Sequence, residues 1–203
     1  MLTLFTMPRL FRDHIAVIQR NAIRSWTLLR PRCEIILCGD DAGVASTAAE
    51  LSVRHIPDIA RNEYGTPLVS DAFAQAERAA RHRILCYINA DIIVMSDFLA
   101  AVSRIQKARF LMLGQRWDLD LQASWDFDQP HWEARLRAEA QARGSLHPYT
   151  GVDYYVFPKG IWGEIPPFAV GRTTYDNWLI WRARSLGLPV IVVSGAVRST
   201  TQM

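Results

Sequence analysis

Apolar and polar positions follow two rhythms along this chain, one of buried runs and one of three- and four-residue steps. Leu2–Thr6 is a short apolar run suited to a buried strand. Ile15, Ile18, Ala22, Trp26 and Leu29 then recur at helical spacing, so one face of a helix meets a core until Pro31 stops it. Cys33–Cys38 is a second buried strand, ended by Gly39-Asp40-Asp41. A short alanine-rich helix and a minor strand, Val53–Ile56, follow. Pro57, Asn62, Gly65 and Pro67 mark residues 57–67 as a loop. Val69, Ala72, Phe73, Ala76 and Ala80 form the inner face of the next helix, with Glu77, Arg78 and Arg81 outside. Ile84–Ile88 is a third strong strand and runs straight into Asn89-Ala90-Asp91. Ser96 reads as the N-cap of a helix through Val102 and Ile105, and Phe110–Leu113 continues the sheet.

The second half is less regular. Residues 117–130 (WDLDLQASWDFDQP) read as an acidic, aromatic loop, followed by a charged helix pairing Glu133–Arg137, Arg135–Glu139 and Glu139–Arg143. Tyr154–Phe157 is a strand, Thr174–Leu186 a helix closed by Gly187 and Pro189, and Val190–Val193 a last strand. Alternating strands and helices with apolar strands predict an α/β fold, a mostly parallel central sheet with helices on both faces. The 203 residues, half of them hydrophobic, suffice for one core and are expected to form a single domain.

The net charge of +3 comes with no basic run, zinc-finger spacing or RNA-binding signature, so nucleic acid is not expected as a partner. An anionic small ligand fits that charge. Cys33, Cys38 and Cys86 are odd in number and sit in apolar runs, which points to buried thiols in a reducing compartment. The start, MLTLFTMPRLF, lacks a basic leader and reads as a strand, not a signal peptide. No stretch approaches the ~18 apolar residues of a spanning helix, so no transmembrane segment and a cytoplasmic location are expected.

Ligands of open α/β sheets bind outside the carboxyl ends of the strands. The residues there are Thr6 with Met7, Asp40 with Asp41, and Asn89 with Asp91. A carboxylate such as Asp91, fixed by the sheet and facing the crevice, can take Mg²⁺ or Mn²⁺ and bridge it to substrate phosphates. The structural alternative is an Asx turn that merely ends the strand. In NEYGTPLVSDAF, Gly65 and Thr66 could offer backbone donors to a phosphate and Asp71 could reach a sugar hydroxyl, or Ser70 and Asp71 could simply stabilise a helix start. Trp117, Trp125 and Phe127, with Asp118, Asp120 and the other acids of their loop, could bind a sugar acceptor or pack under the sheet. The five histidines show no metal-ligand spacing.

YINADIIV resembles the DXD-type metal motif of GT-A glycosyltransferases. TMPR, GQRWDLD, GVDYYVFPKG and PPFAVGRTTYDNWLIW extend the resemblance, in order, over nearly the whole chain. The family it resembles comprises bacterial and plant GT-A-fold glycosyltransferases. The resemblance implies one GT-A-like, Rossmann-related domain over residues 1–203, with a nucleotide-binding half (1–115) and an acceptor-side half (116–203). It implies a UDP- or GDP-linked sugar donor, a saccharide or other hydroxyl acceptor, and Mn²⁺ or Mg²⁺ as cofactor. Thr6, Met7 and Asp40 would surround the base and ribose, Asp91 would hold the metal, and Asn89 would lie near ribose or metal. Asp176, in TTYDNW, would face the donor sugar and accept the acceptor proton or orient the donor, with Asp153 a second catalytic candidate. Without a function, Thr173 or Thr174 would cap that helix and Asp176 would favour its dipole. Two departures stand out: Asn89 replaces the usual first acid, and Ser199, Thr200 and Thr201 stand where relatives tend to carry a metal-binding histidine. A non-catalytic or C-terminally truncated GT-A-fold protein that binds a nucleotide-sugar or a protein partner is therefore the alternative. The chain lacks GxGxxG after its first strand, the P-loop GKS or GKT, and the glycine- and arginine-rich loop of sugar-nucleotide pyrophosphorylases.

Overall fold

A computed structural model of the chain describes residues 1–148, 151–172, 174–193 and the backbone of 200–201. The pleat of each long strand sends alternate side chains to opposite sides. In β1 (Leu2–Thr6), Leu2 and Leu4 enter one core and Phe5 the other. In β4 (Ile84–Ile88), Cys86 and Ile88 join the first, Leu85 and Tyr87 the second. Both faces are apolar, so both must be covered. Helices α1 (Asp13–Leu28), α2 (Val44–Glu50) and α4 (Ser96–Ser103) cover the first through Trp26, Val44 and Phe98. Helices α3 (Val69–Ala79) and α6 (Tyr175–Ser185) cover the second through Phe73 and Leu179. Phe73 stacks on Phe157 with ring centroids 5.6 Å apart and meets Phe5 edge-on at 5.0 Å. Such aromatic pairs add about 0.5–1.5 kcal/mol beyond the area they bury.

The seven-stranded sheet runs β10 (Val190–Val192), β6 (Leu111–Leu113), β9 (Tyr154–Pro158), β4, β1, β2 (Glu34–Cys38), β3 (Arg54–Ile56). As expected, it is mostly parallel. The exception is β9, antiparallel to both β4 and β6, with Tyr155 opposite Tyr87 and Val156 opposite Met112. A strand from the second half thus sits between two strands of the first.

A second, small sheet orders β5 (Ile92–Ile93), β11 (Thr200–Thr201), β7 (Trp117–Asp118) and β8 (Ser145–Leu146). Two-residue strands carry no readable period, which is why residues 117–130 look like pure loop in sequence. The rest of that segment packs: Leu119, Leu121 and Phe127 form a third core with Leu136 and Ala140 of α5 (Trp132–Arg143). Two of the expected pairs on α5 form, Glu133–Arg137 at 3.5 Å and Glu139–Arg143 at 3.3 Å, while Arg135 lies over the Trp125 ring. Ser96 is the first helical residue of α4 rather than its N-cap, since the extended backbone of Met95 takes that position, and its hydroxyl donates to Glu133 at 2.7 Å. Thr174 occupies the N-cap position of α6 without a capping bond from its side chain; Thr173 lies outside the described residues. The three cysteines are free, with Cys38 and Cys86 buried. Among the described residues no helix is long and apolar enough to cross a membrane.

Candidate functional site

The carboxyl ends of β1, β2 and β4 open into one cleft of about 390 Å³, within the ~300–1,000 Å³ of small-molecule sites. β1 leads into Met7, Pro8 and Arg9 on its wall, β2 into Cys38, Gly39 and Asp41, and β4 into Asn89, Ala90 and Asp91. Gly39 makes the turn after β2 at φ 104°, in the left-handed region that favours glycine, and His55 Nε2 lies 2.7 Å from its carbonyl. Pro67, Val170, Gly171 and Tyr175 form the opposite rim. Two strand-like contacts join the rim: the Val69 N–H donates to the Phe168 carbonyl at 2.8 Å and Val170 N–H to that of Pro67 at 2.9 Å.

Gln19 of α1 also reaches the cleft and is buried. Its amide oxygen accepts from the Arg9 backbone N–H at 2.7 Å, and its amide nitrogen donates to the Arg9 carbonyl at 2.9 Å. The clamp fixes the chain that carries the Arg9 guanidinium, a cation in the cleft wall.

Asp91 is half-buried, but its Oδ1 is sealed from solvent and has no hydrogen-bond partner. Burial pushes its carboxyl up to about 6, and the neighbouring Asp153 carboxylate adds to the rise. Arg116 and Arg9 act against both. An orphaned buried oxygen calls for a ligand, a proton or a cation.

Asn89 is held twice by Asp153. Its backbone N–H donates to the Asp153 carbonyl at 2.8 Å, and its side-chain nitrogen to Asp153 Oδ1 at 2.8 Å. Asp153 Oδ2 is paired with Arg116. Arg116 Nε donates to Asp118 Oδ1 at 2.8 Å, and Asp118 Oδ2 lies 2.5 Å from His147 Nδ1. His147 and Arg116 together hold the Asp118 carboxyl below the usual carboxylate range against its desolvation. The chain of contacts ties the end of β4 to β9, β7 and β8.

The resemblance implies a divalent cation, and the residues present fit one. Asp91 supplies a sealed carboxylate oxygen and Asn89 an amide oxygen, both hard donors of the kind Mg²⁺ and Mn²⁺ take. Among the described residues no group of three or more His, Cys, Asp or Glu could hold a metal. The remaining positions would fall to phosphate oxygens and water. Thr200 and Thr201 place β11 beside Ile93 and Ile92, next to Asp91 in the chain; Ser199 lies outside the described residues.

The sequence candidates divide by position. Met7, Asn89 and Asp91 line the cleft. Thr6 is buried just behind it, its hydroxyl oxygen unpartnered. Asp40 points to solvent and pairs with Arg61, which holds its carboxyl below the ordinary range; its neighbour Asp41 lines the cleft instead. Gly65 and Thr66 belong to a turn around Asn62 beside Pro67, where Gly65 donates its N–H to the Asn62 carbonyl and Thr66 its N–H to Asn62 Oδ1, both at 2.9 Å. Asp71 anchors the preceding loop, accepting from the Ala60 N–H at 2.8 Å and the Gln75 amide at 2.7 Å. Asp176 follows Tyr175 at the cleft rim and accepts from the Asn177 N–H at 2.8 Å. Trp117 and Asp118 stand in the second sheet, and Asp120 is exposed beyond it.

Arg9 and Gln19 were not singled out in sequence. Gln19 left one signal, a polar residue inside the apolar stripe of Ile15, Ile18 and Ala22.

No protein-family model matches the chain, and no curated protein matches its sequence. Solved structures match its fold. A mannosyltransferase from Pyrobaculum calidifontis, solved with GDP-Man and Mn²⁺, superposes at TM-score 0.57 and 13% identity over 98% of this chain. The match spans only 56% of the mannosyltransferase. Glucosyl-3-phosphoglycerate synthase from Mycobacterium tuberculosis, solved with Mn²⁺, UDP and glucosyl-3-phosphoglycerate, gives 0.56 at 15% identity, covering 100% of this chain and 72% of that one. The inositol-1-phosphate CTP transferase from T. maritima gives 0.57 at 10% identity, covering 98% and 88%. A mostly parallel sheet with one reversed strand, helices on both faces and a cleft at the strand ends give this chain a GT-A-like fold, shared with these transferases.

Proposed function

We propose that the chain transfers a sugar from a nucleoside-diphosphate donor to an acceptor hydroxyl with the help of Mn²⁺ or Mg²⁺. The observation that carries this reading is the sealed, unpartnered carboxylate oxygen of Asp91 in a cleft at the carboxyl ends of β1, β2 and β4. The GDP-Man, UDP and Mn²⁺ bound by structural neighbours support it. Met7, Pro8, Gly39 and Asp41 bound the part of the cleft suited to base and ribose, with Thr6 behind them and Asp40 beside them. Arg9 faces the diphosphate, where a guanidinium binds phosphate oxygens through paired hydrogen bonds. Asp91 and Asn89 would hold the cation, which when bound neutralises charge on the departing diphosphate. Tyr175 stands at the opposite rim, and Asp176 beside it takes the proton from the acceptor hydroxyl. Trp117, Asp118 and Asp120 stand on the acceptor side. Gly65, Thr66 and Asp71 act through the loop that ends at Pro67.

The replacement of the first acid by Asn89 favours a second reading, a protein that binds the nucleotide-sugar without turnover. Calorimetry with UDP and GDP, each with and without Mn²⁺, tests the site first. Metal-dependent binding weakened at least about 10-fold by Asp91→Ala is the expected result, the loss of one charged contact. No binding, or binding indifferent to that substitution, overturns the nucleotide-sugar site. Binding without release of nucleoside diphosphate from any sugar donor selects the second reading.

A further inference from the structure

Position 89 looks like a weakened motif, a neutral amide where a second acid would strengthen cation binding. Its surroundings explain the amide. Asp153 Oδ1 lies 2.8 Å from the Asn89 side-chain nitrogen, and the two backbones are hydrogen-bonded to each other at 2.8 Å. Facing a carboxylate at that distance, the amide must present its N–H₂, so its oxygen is the end left for a ligand. Asp153 cannot turn away, because Arg116 pairs with its other oxygen and is itself held by Asp118. Gly151 keeps this packing possible: a Cβ there would come within 2.3 Å of the His147 ring and 2.9 Å of the Arg116 guanidinium.

We propose that the second acid of the site has moved from position 89 to position 153. The Asp153–Arg116 pair then acts as a positioning device that turns the Asn89 amide oxygen toward the cation and nucleotide. Restoring the usual motif should therefore harm the site. In Asn89→Asp, two carboxylates would face each other at hydrogen-bond distance, which forces one to keep a proton or swing aside. In Asn89→Asp with Asp153→Asn, the donor and acceptor of that hydrogen bond simply change places, and the charge count beside Arg116 is kept.

The role in ligand binding rests on the proposed nucleotide-sugar reading, but the pairing itself does not, and a double-mutant cycle separates the two. Wild type, Asn89→Asp, Asp153→Asn and the double variant are compared by thermal unfolding without ligand. The same four are then compared by calorimetry with UDP or GDP and Mn²⁺. Asn89→Asp is expected to lower Tm by several degrees and weaken metal-dependent nucleotide binding about 10-fold, despite its added charge. The double variant should recover most of the Tm and bind within about 3-fold of wild type. Independent, additive effects on Tm overturn the proposal, and so does tighter binding by Asn89→Asp alone. Coupled Tm values with no nucleotide bound by any form leave the pairing proven and overturn the nucleotide-sugar reading instead.

Discussion

Asp91 combines a function with a cost. Its folded-state pKa of about 6 lies above that of an unfolded aspartate, so the fold favours the protonated acid. Below about pH 4 both states carry the proton and nothing is lost. As pH rises the native state must hold a buried charge, and above about pH 6 the full penalty applies, up to about 3 kcal/mol. Asp91→Asn should thus raise stability at pH 8, leave it nearly unchanged at pH 4, and weaken metal-dependent nucleotide binding about 10-fold through the lost charge. Thermal unfolding at the two pH values checks the sign; equal shifts at both would refute it. Asp91 was legible in sequence because a buried run ends just before it. The partners of Asn89 were not, since Asp153 and Arg116 are brought to it by strands whose pairing no local pattern encodes.

At the scale of the element, α1 does more than cover the sheet. Its buried stripe contains Gln19, Asn21, Ser25 and Trp26, each directed at backbone elsewhere. Gln19 clamps Arg9, and Asn21 donates to the Ala123 carbonyl at 3.1 Å and accepts from the Trp125 N–H at 2.8 Å. Ser25 accepts from the Val94 N–H at 3.1 Å, and the Trp26 indole donates to the Ile92 carbonyl at 2.8 Å. One helix thereby fixes the start of the cleft, the strand after Asp91 and the loop beyond it. Gln19→Leu keeps the volume but leaves two backbone groups of Arg9 unpaired. A stability loss of about 1–3 kcal/mol is expected, with nucleotide binding weakened roughly 10-fold as Arg9 loses its place. Denaturant titration and calorimetry measure the two; an unchanged affinity would remove Arg9 from the diphosphate. The helix itself was plain from its period, while the purpose of its polar positions appeared only once their distant acceptors were in place.

Taken whole, the molecule shows why its two halves were easier to describe than to separate. Buried strands read alike whichever way they run, so the alternation of elements conveyed a mostly parallel sheet but not the reversal of β9. Because β9 stands between β4 and β6, residues 1–115 contain a strand, β6, with no neighbour of their own to join it to the sheet. A 1–115 fragment is therefore expected to lose cooperative thermal unfolding, and adding residues 116–203 as a separate chain should restore it. Calorimetry of the fragment alone and of the mixture checks this; a sharp transition in the fragment alone would show that β9 is dispensable. During synthesis the same arrangement imposes an order. As the chain leaves the ribosome, β4 presents an open apolar edge from the time Ile88 emerges until Tyr154–Pro158 arrive, and any competing strand that docks there first would block the native one. The nascent protein is thus most open to misassembly, and most in need of a chaperone, through the whole interval between those two strands.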